Sequence, residues 1–191
     1  MVNMQDLSLH LMDIVQNSLK AGAVRILIEV RADTSINMLY ITIEDNGHGM
    51  SAAMVESVTD PFVTTRTTRS VGLGIPLLKE HCELTGGKLE LQSEEGKGTC
   101  LRASFGLYSI DRMPLGDISD TMTALVLSDP NVDYVVRFVC DDNEFELDWH
   151  DIRDQLADVP LNEPAVLEWI GENLAEKQHY IFGGVLNEIT G

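Results

Sequence analysis

The sequence predicts an α+β fold, in which a two-layer α/β sandwich over residues 1–106 is followed by a C-terminal α+β extension over residues 107–191. Three observations support this fold class. Apolar residues recur at helical spacing near the N terminus, β-branched runs follow them, and glycine-rich breaks separate the two kinds of segment. Helices and strands alternate irregularly, which is typical of an α+β pair of layers.

Each element is predicted from a local pattern. An apolar stripe predicts a helix over residues 6–20, which Gly22 ends as a left-handed cap. Strands are predicted over residues 24–30 and 38–44, a short helix begins after Ser51, and residues 59–70 form a loop. A helix over residues 72–84 and strands over 88–92 and 99–105 complete the sandwich. The extension is predicted to contain a helix over 114–128, a hairpin of strands 132–140 and 144–149, and a helix over 163–180.

Charge and hydropathy limit the classes of partner. The chain of 191 residues has a formal net charge of −18, which argues against nucleic-acid binding, because phosphate neutralisation needs clustered Lys and Arg. No apolar stretch approaches the roughly 20 residues that span a bilayer, so we expect a cytoplasmic protein without a membrane partner. Residues 107–191 carry 4 basic and 18 acidic residues. This acidic half is either a solvated surface or an element that docks a protein partner.

Two motifs are candidates for binding a nucleotide base. Asp45 ends a predicted strand, and its carboxylate can accept the exocyclic amine of adenine; Gly47 and Gly49 let the backbone turn sharply before Met50. Thr99 begins the last strand of the sandwich, where its hydroxyl can join Asp45 around the base. Taken separately, each motif is also explained by an ordinary turn.

Two further motifs are candidates for binding phosphate. Asn17 and Lys20 share one face of the first helix with Asp13. The amide oxygen of Asn17 can complete the coordination shell of Mg²⁺, and the ammonium group of Lys20 can contact a phosphate. The third predicted helix opens with Gly72, Leu73, Gly74 and Ile75, and exposed amides at a helix N terminus suit phosphates. A solvated helix face and a simple glycine N terminus are the structural alternatives.

The order and spacing of these motifs resemble the N, G1, G2 and G3 boxes of the GHKL superfamily, which groups gyrase, chaperone, histidine-kinase and mismatch-repair ATPases. The four boxes correspond to Asn17, Asp45-x-Gly-x-Gly, Gly72-x-Gly and the run Gly96-Lys97-Gly98-Thr99. Residues 60–66, Asp-Pro-Phe-Val-Thr-Thr-Arg, look like the F box of histidine kinases. The resemblance covers about residues 6–106 and implies a histidine-kinase-like domain with the Bergerat ATP-binding fold.

The resemblance also implies a role for each matched residue. Asn17 ligates Mg²⁺, Lys20 contacts phosphate, and Asp45 binds the adenine amine. The residues beside the base are Gly47, Gly49, Met50 and Thr99. A short ATP lid contains Thr64, Thr65, Arg66 and Arg69, and Gly72, Leu73, Gly74 and Ile75 lie against the phosphates. Asp13 stands where hydrolysing members have a Glu, so Asp13, Asn17 and Arg66 form the expected catalytic set.

With ATP and Mg²⁺ as cofactors, the resemblance implies transfer of the γ-phosphate to a protein partner in a signalling or regulatory pathway. The chain begins at the N-box helix, and no histidine has the sequence context of a phosphoacceptor, so we expect the acceptor on another chain. The alternatives are an ATPase that acts as a conformational switch or clamp, and a non-catalytic regulatory module that binds ATP. A homodimer is compatible with the sequence.

Overall fold

A computed structural model describes residues 6–59, 74–157 and 159–186. In chain order its elements are α1 (Leu7–Lys20), β1 (Arg25–Asp33), β2 (Met38–Asp45), α2 (Ala52–Thr59), α3 (Gly74–Leu84), β3 (Leu89–Glu94), β4 (Gly98–Gly106), α4 (Ile118–Ser128), β5 (Asp133–Cys140), β6 (Asn143–Asp148), α5 (Trp149–Leu156) and α6 (Pro164–Phe182). The strands form one six-stranded sheet that packs against helices, and the predicted α+β fold class is confirmed.

The sheet has the strand order β3-β4-β2-β1-β5-β6. β1 pairs with β2 in antiparallel register, with Ile28 opposite Ile43, and with β5 in parallel register, with Ile28 opposite Val136. Hydrogen bonds therefore hold β1 on both sides. Because β5 pairs with β1, the strands that follow residue 107 continue the sheet that the first half of the chain begins.

Alternation along the strands separates two faces of the sheet. Ile26, Ile28 and Val30 of β1 are fully buried, as expected for a face that helices cover. On the opposite face of β1, Glu29 forms ion pairs with Arg31 (3.2 Å) and with Arg137 of β5 (3.6 Å). The helix-covered face therefore contains the core, and the other face carries charged pairs.

One hydrophobic core contains residues from both halves of the chain. Leu11 of α1 and Phe138 of β5 are both almost completely buried in it. Trp149 is also fully buried, with its ring centroid 6.0 Å from that of Tyr134. The acidic half of the chain is therefore packed through apolar side chains, although its surface is charged.

His10 of α1 lies between α1 and α3, with its ring centroid 5.7 Å from that of His81. Its side chain is almost fully buried. Burial, and to a smaller extent the nearby His81, lowers the pKa of His10 from its usual value to about 4. The ring is therefore neutral at pH 7 and packs as part of the interface between the two helices.

One predicted helix start is wrong by four residues, and one helix, α5, was not predicted. The helix predicted over residues 114–128 begins at Ile118, because the carbonyl of Pro114 accepts a hydrogen bond from the Leu7 amide (2.9 Å) and Asp117 caps the helix. The last predicted strand ends at Asp148, whose side chain accepts from the His150 amide (2.8 Å) and caps the unpredicted helix α5. The predicted start of a helix at Gly72 lies outside the described residues.

None of the helices in the described ranges is long and apolar enough to cross a membrane.

We expect Phe138→Ala to destabilise the whole sheet by about 3–5 kcal/mol, because it leaves a cavity next to β1 in a shared core. Urea unfolding followed by far-ultraviolet circular dichroism reports the complete sheet. Fluorescence reports the second half of the chain, where both tryptophans, Trp149 and Trp169, lie. The two transitions should coincide in the wild type and in the variant. Separate midpoints would show that the halves unfold independently.

Candidate functional site

A cavity of about 260 Å³ lies between α1, α2, α3 and the helix-covered face of the sheet. Among the described residues, its polar lining consists of Asn17, Ser18, Lys20, Asp45, His48 and Thr99. Its remaining lining consists of Ile14, Ala21, Ile43, Gly49, Met50, Met54, Val58, Ile75, Leu91 and Leu101. A few polar groups set into apolar walls are typical of a small-molecule site.

Asp45 is the buried carboxylate of this cavity, with 9% of its surface exposed. Its Oδ2 accepts a hydrogen bond from the Ser18 hydroxyl (2.6 Å), and its Oδ1 accepts one from the Gly47 amide (2.9 Å). Each carboxylate oxygen can accept more than one hydrogen bond, so acceptor capacity remains for a ligand. Asp45 is therefore held in one orientation and can still accept a hydrogen bond from an amine of a ligand.

The turn after β2 is held close to β3 and β4 by glycines. Gly49 has a φ of 65°, and a Cβ at this position would overlap the carbonyl oxygen of Glu94. A Cβ at Gly98, with a φ of 110°, would overlap the carbonyl oxygen of Asp45. Both positions therefore require glycine for two reasons, backbone conformation and close approach.

Thr99 lies opposite Asp45 in the pairing of β4 with β2. Its hydroxyl is 2.9 Å from the hydroxyl of Ser93, which accepts from the Met50 amide (2.8 Å) and donates to the carbonyl of Gly98 (2.9 Å). Either hydroxyl can be the donor between Ser93 and Thr99, and the Thr99 oxygen keeps at least one lone pair in both cases. Thr99 can therefore accept a hydrogen bond from a ligand in the cavity, as Asp45 can.

α1 supplies the residues predicted to meet phosphate. Asn17 and Lys20 both line the cavity, one helical turn apart, and Lys20 is exposed. Asp13 does not line it; a Cβ at Gly74 would overlap the Oδ2 of Asp13, so this carboxylate packs against the first residue of α3. An amide and a cation therefore face the cavity, whereas the acidic side chain of α1 faces a helix.

Of the sequence-predicted residues, seven line the cavity: Asn17, Lys20, Asp45, Gly49, Met50, Ile75 and Thr99. The backbone amide of Gly47, in the turn after β2, donates a hydrogen bond to the Asp45 carboxylate, and Gly74 contacts the side chain of Asp13. The remaining predicted residues, Thr64, Thr65, Arg66, Arg69, Gly72 and Leu73, lie outside the described residues. Their roles, like those of the seven, stay predictions.

Sequence reasoning missed Ser18, His48 and the apolar walls. Ile43 precedes Asp45 by two residues in β2, so strand alternation alone places both on one face. His48 lies within the predicted turn, where its Nδ1 is 2.7 Å from the Gly49 carbonyl. No sequence pattern indicates Met54 and Val58, because their place in the cavity depends on how α2 packs.

The cavity fits ATP by the chemistry of its lining. A flat base can pack against apolar walls such as Ile43 and Leu101, and the amine of adenine can donate a hydrogen bond to the carboxylate of Asp45. Within the described ranges, no group of three or more His, Cys, Asp or Glu side chains could hold a metal ion. That the amide oxygen of Asn17 ligates Mg²⁺, together with phosphate oxygens and water, stays a prediction.

We expect Gly49→Ala to be more destabilising than Gly96→Ala, by about 1–3 kcal/mol, because only the first introduces a backbone overlap. Gly96 also has a positive φ, 80°, but a Cβ there would meet nothing within 4 Å. The matched pair thus separates conformational strain from steric overlap. Urea denaturation of both variants measures the difference, and equal losses of stability would contradict the close approach at Gly49.

Comparison with known proteins identifies the family. Residues 3–109 match the model of the histidine kinase-, DNA gyrase B-, and HSP90-like ATPases, which is more than half of the chain. A putative sensor protein of Shewanella frigidimarina is 33% identical over 109 residues, which cover 56% of this chain and 17% of that protein. The sensor protein kinase FleS of Pseudomonas aeruginosa is 31% identical over 109 residues, which cover 57% of this chain and 26% of that protein.

The chain thus spans about a quarter or less of the length of these relatives. Among solved structures, the Aquifex aeolicus MutL ATPase domain complexed with ADP is 14% identical, with a TM-score of 0.45, over 90% of this chain and 69% of that one. The family match covers the segment that contains Asn17, Asp45 and Thr99, and the predicted resemblance to the GHKL superfamily is confirmed. The chain belongs to the histidine kinase-, DNA gyrase B-, and HSP90-like ATPases and contains a histidine-kinase-like ATPase domain.

Proposed function

We propose that this protein binds ATP with Mg²⁺ in the cavity and transfers the γ-phosphate to a residue of a partner protein in a signalling or regulatory pathway. One observation carries the proposal. The single helix α1 holds Asp45 through Ser18 and presents Asn17 and Lys20 to the same cavity. A base on Asp45 and phosphates near Asn17 and Lys20 are thereby positioned by one rigid element.

Phosphoryl transfer needs positioning and charge neutralisation more than covalent chemistry from the protein. Lys20 supplies a positive charge at the cavity in a chain with a formal net charge of −18, and Asn17 supplies an amide oxygen for the metal ion. Mg²⁺ would neutralise charge on the phosphates. In this proposal the lid residues Arg66 and Arg69 add further positive charge, as the family resemblance implies.

We assign the residue that accepts the phosphate to the partner protein, because the two histidines near the cavity already make contacts within this chain. His10 is buried between α1 and α3. His48 lines the cavity, where its Nδ1 is 2.7 Å from the Gly49 carbonyl in the turn beside Asp45. A phosphoacceptor must approach the γ-phosphate in line, which the buried ring of His10 cannot do without leaving the interface between the helices. His48 lies in the turn beside Asp45, on the side of the cavity proposed for the base.

An ATPase switch is the alternative function, and it would use Asp13 as the general base. A general base must come within hydrogen-bonding reach of the attacking water, directly or through one further water. Asp13 packs against Gly74 and does not line the cavity among the described residues. Hydrolysis through Asp13 would therefore require this contact to open, which favours transfer to a partner over rapid hydrolysis.

We expect Asp45→Asn to weaken ATP binding about 10- to 100-fold, because hydrogen bonds to charged groups contribute about 1.5–3 kcal/mol. The amide keeps the shape of the carboxylate but presents a donor to the adenine amine. Isothermal titration calorimetry with ATP and Mg²⁺ measures the loss. Glu44→Gln is the matched control, because it removes the same charge from the adjacent, exposed residue of β2. Equal affinities of the wild type and Asp45→Asn would contradict the proposed binding mode.

The transfer step is tested by incubating the protein with Mg²⁺ and γ-labelled ATP, alone and with native extract of the source cells. Label should move onto a protein, and it should not do so with Asp45→Asn or without Mg²⁺. Acid treatment then distinguishes acid-labile phosphohistidine from acid-stable phosphoserine. Label recovered only as free phosphate would overturn the transferase proposal and support the ATPase switch.

A further inference from the structure

α6 has a buried face and an exposed face with different chemistry. Its inner face places Val166, Ile170 and Leu174 in the core. Four residues spaced three, four and four positions apart lie along its outer side: Trp169, Glu172, Glu176 and Tyr180. We call these four residues the α6 stripe. Two aromatic side chains flank two carboxylates in the α6 stripe, which spans about 16 Å of helix.

Both aromatic side chains of the α6 stripe are strongly exposed, Trp169 by 48% and Tyr180 by 73%. The other tryptophan, Trp149, is fully buried, so the core of this protein does accommodate a tryptophan side chain. Trp169 lies instead on the solvent side of α6. Glu176 is paired with Lys177 at 3.7 Å, and the Glu176 side chain is 74% exposed. Such an exposed pair is weak and exchanges readily with a competing cation.

We infer that the α6 stripe docks an extended, arginine-containing segment of a partner protein. Glu172 and Glu176 are separated by about 6 Å along the helix, since each residue rises 1.5 Å. Alternate residues of an extended chain are separated by about 6.6 Å. Arginines at alternate positions therefore match the two carboxylates, and flanking arginines reach Trp169 and Tyr180.

Arginine fits this surface better than lysine does. A guanidinium group binds a carboxylate through two parallel hydrogen bonds and also stacks on an aromatic ring. The α6 stripe presents both kinds of partner along one line, with the two carboxylates between the two aromatic rings. An ammonium group is a strongly hydrated point charge, and it would use the carboxylates but gain less from Trp169 and Tyr180.

Charge selects a basic protein segment over other occupants. Residues 107–191 carry 18 acidic and 4 basic residues, and Glu168 lies beside the stripe on α6. A second copy of the chain would bring a like-charged surface to this face. Nucleic acid and anionic membranes would be repelled for the same reason.

The test uses the full chain without nucleotide, so its outcome does not depend on phosphoryl transfer. A seven-residue synthetic peptide with arginine at alternate positions is titrated while tryptophan fluorescence is followed. Trp169 reports the binding, because Trp149 is buried. We expect saturable binding that weakens as salt is added, and at least about fivefold weaker binding by the lysine analogue.

Variants separate the α6 stripe from the general acidity of the protein. Glu172→Gln with Glu176→Gln should weaken binding at least about tenfold by calorimetry, and Trp169→Ala should also weaken it. The matched control, Glu83→Gln with Glu95→Gln, removes two exposed carboxylates elsewhere and should leave the affinity unchanged. Circular dichroism verifies that each variant is folded.

Three results would overturn the inference. One is the absence of saturable binding by the arginine peptide at low salt. Another is equal weakening by the control pair and by the Glu172 and Glu176 pair, which would show non-specific attraction to a negatively charged protein. The third is self-association of the free chain that Trp169→Ala abolishes, which would identify the occupant as a second copy.

Discussion

The buried hydrogen bond from Ser18 to Asp45 is the interaction on which the candidate site depends. A carboxylate with only 9% of its surface exposed must find hydrogen-bond donors, and these come from the Ser18 hydroxyl at 2.6 Å and the Gly47 amide. Because Ser18 belongs to α1, the bond ties the helix layer to the end of β2. Asn17 and Lys20, on the same helix, are thereby fixed relative to Asp45.

β1 gives the surroundings of this site their rigidity. It pairs with β2, which carries Asp45, and with β5 from the second half of the chain. The acidic half therefore shares a sheet and a core with the ATPase domain, while α6 directs its charged outer side to solvent. A partner held on α6 would be attached to the same rigid sheet that carries the nucleotide site, without overlapping the residues that line the cavity.

Much of the fold was predictable because local patterns and tertiary packing agree. Alternation predicted β1 and β2 to within three residues at each end, and the first helix follows an apolar stripe that the core buries. The start of α4 was misplaced because Pro114 is engaged by the Leu7 amide, a contact between distant parts of the chain. α5 was missed because it follows β6 directly, with Asp148 serving both as the last strand residue and as the helix cap.

The sequence by itself determined the family, because spaced glycines, Asp45 and Asn17 are local chemical requirements that the chain displays in order. It also determined most positions of the strands and helices, since their periodicity reflects burial on one face. Only the tertiary structure decided that Ser18 holds Asp45, that Asp13 packs against Gly74, and that Trp149 is buried while Trp169 is exposed. These facts depend on which surfaces meet across the sheet and the helix layer, and one-dimensional spacing does not encode such contacts.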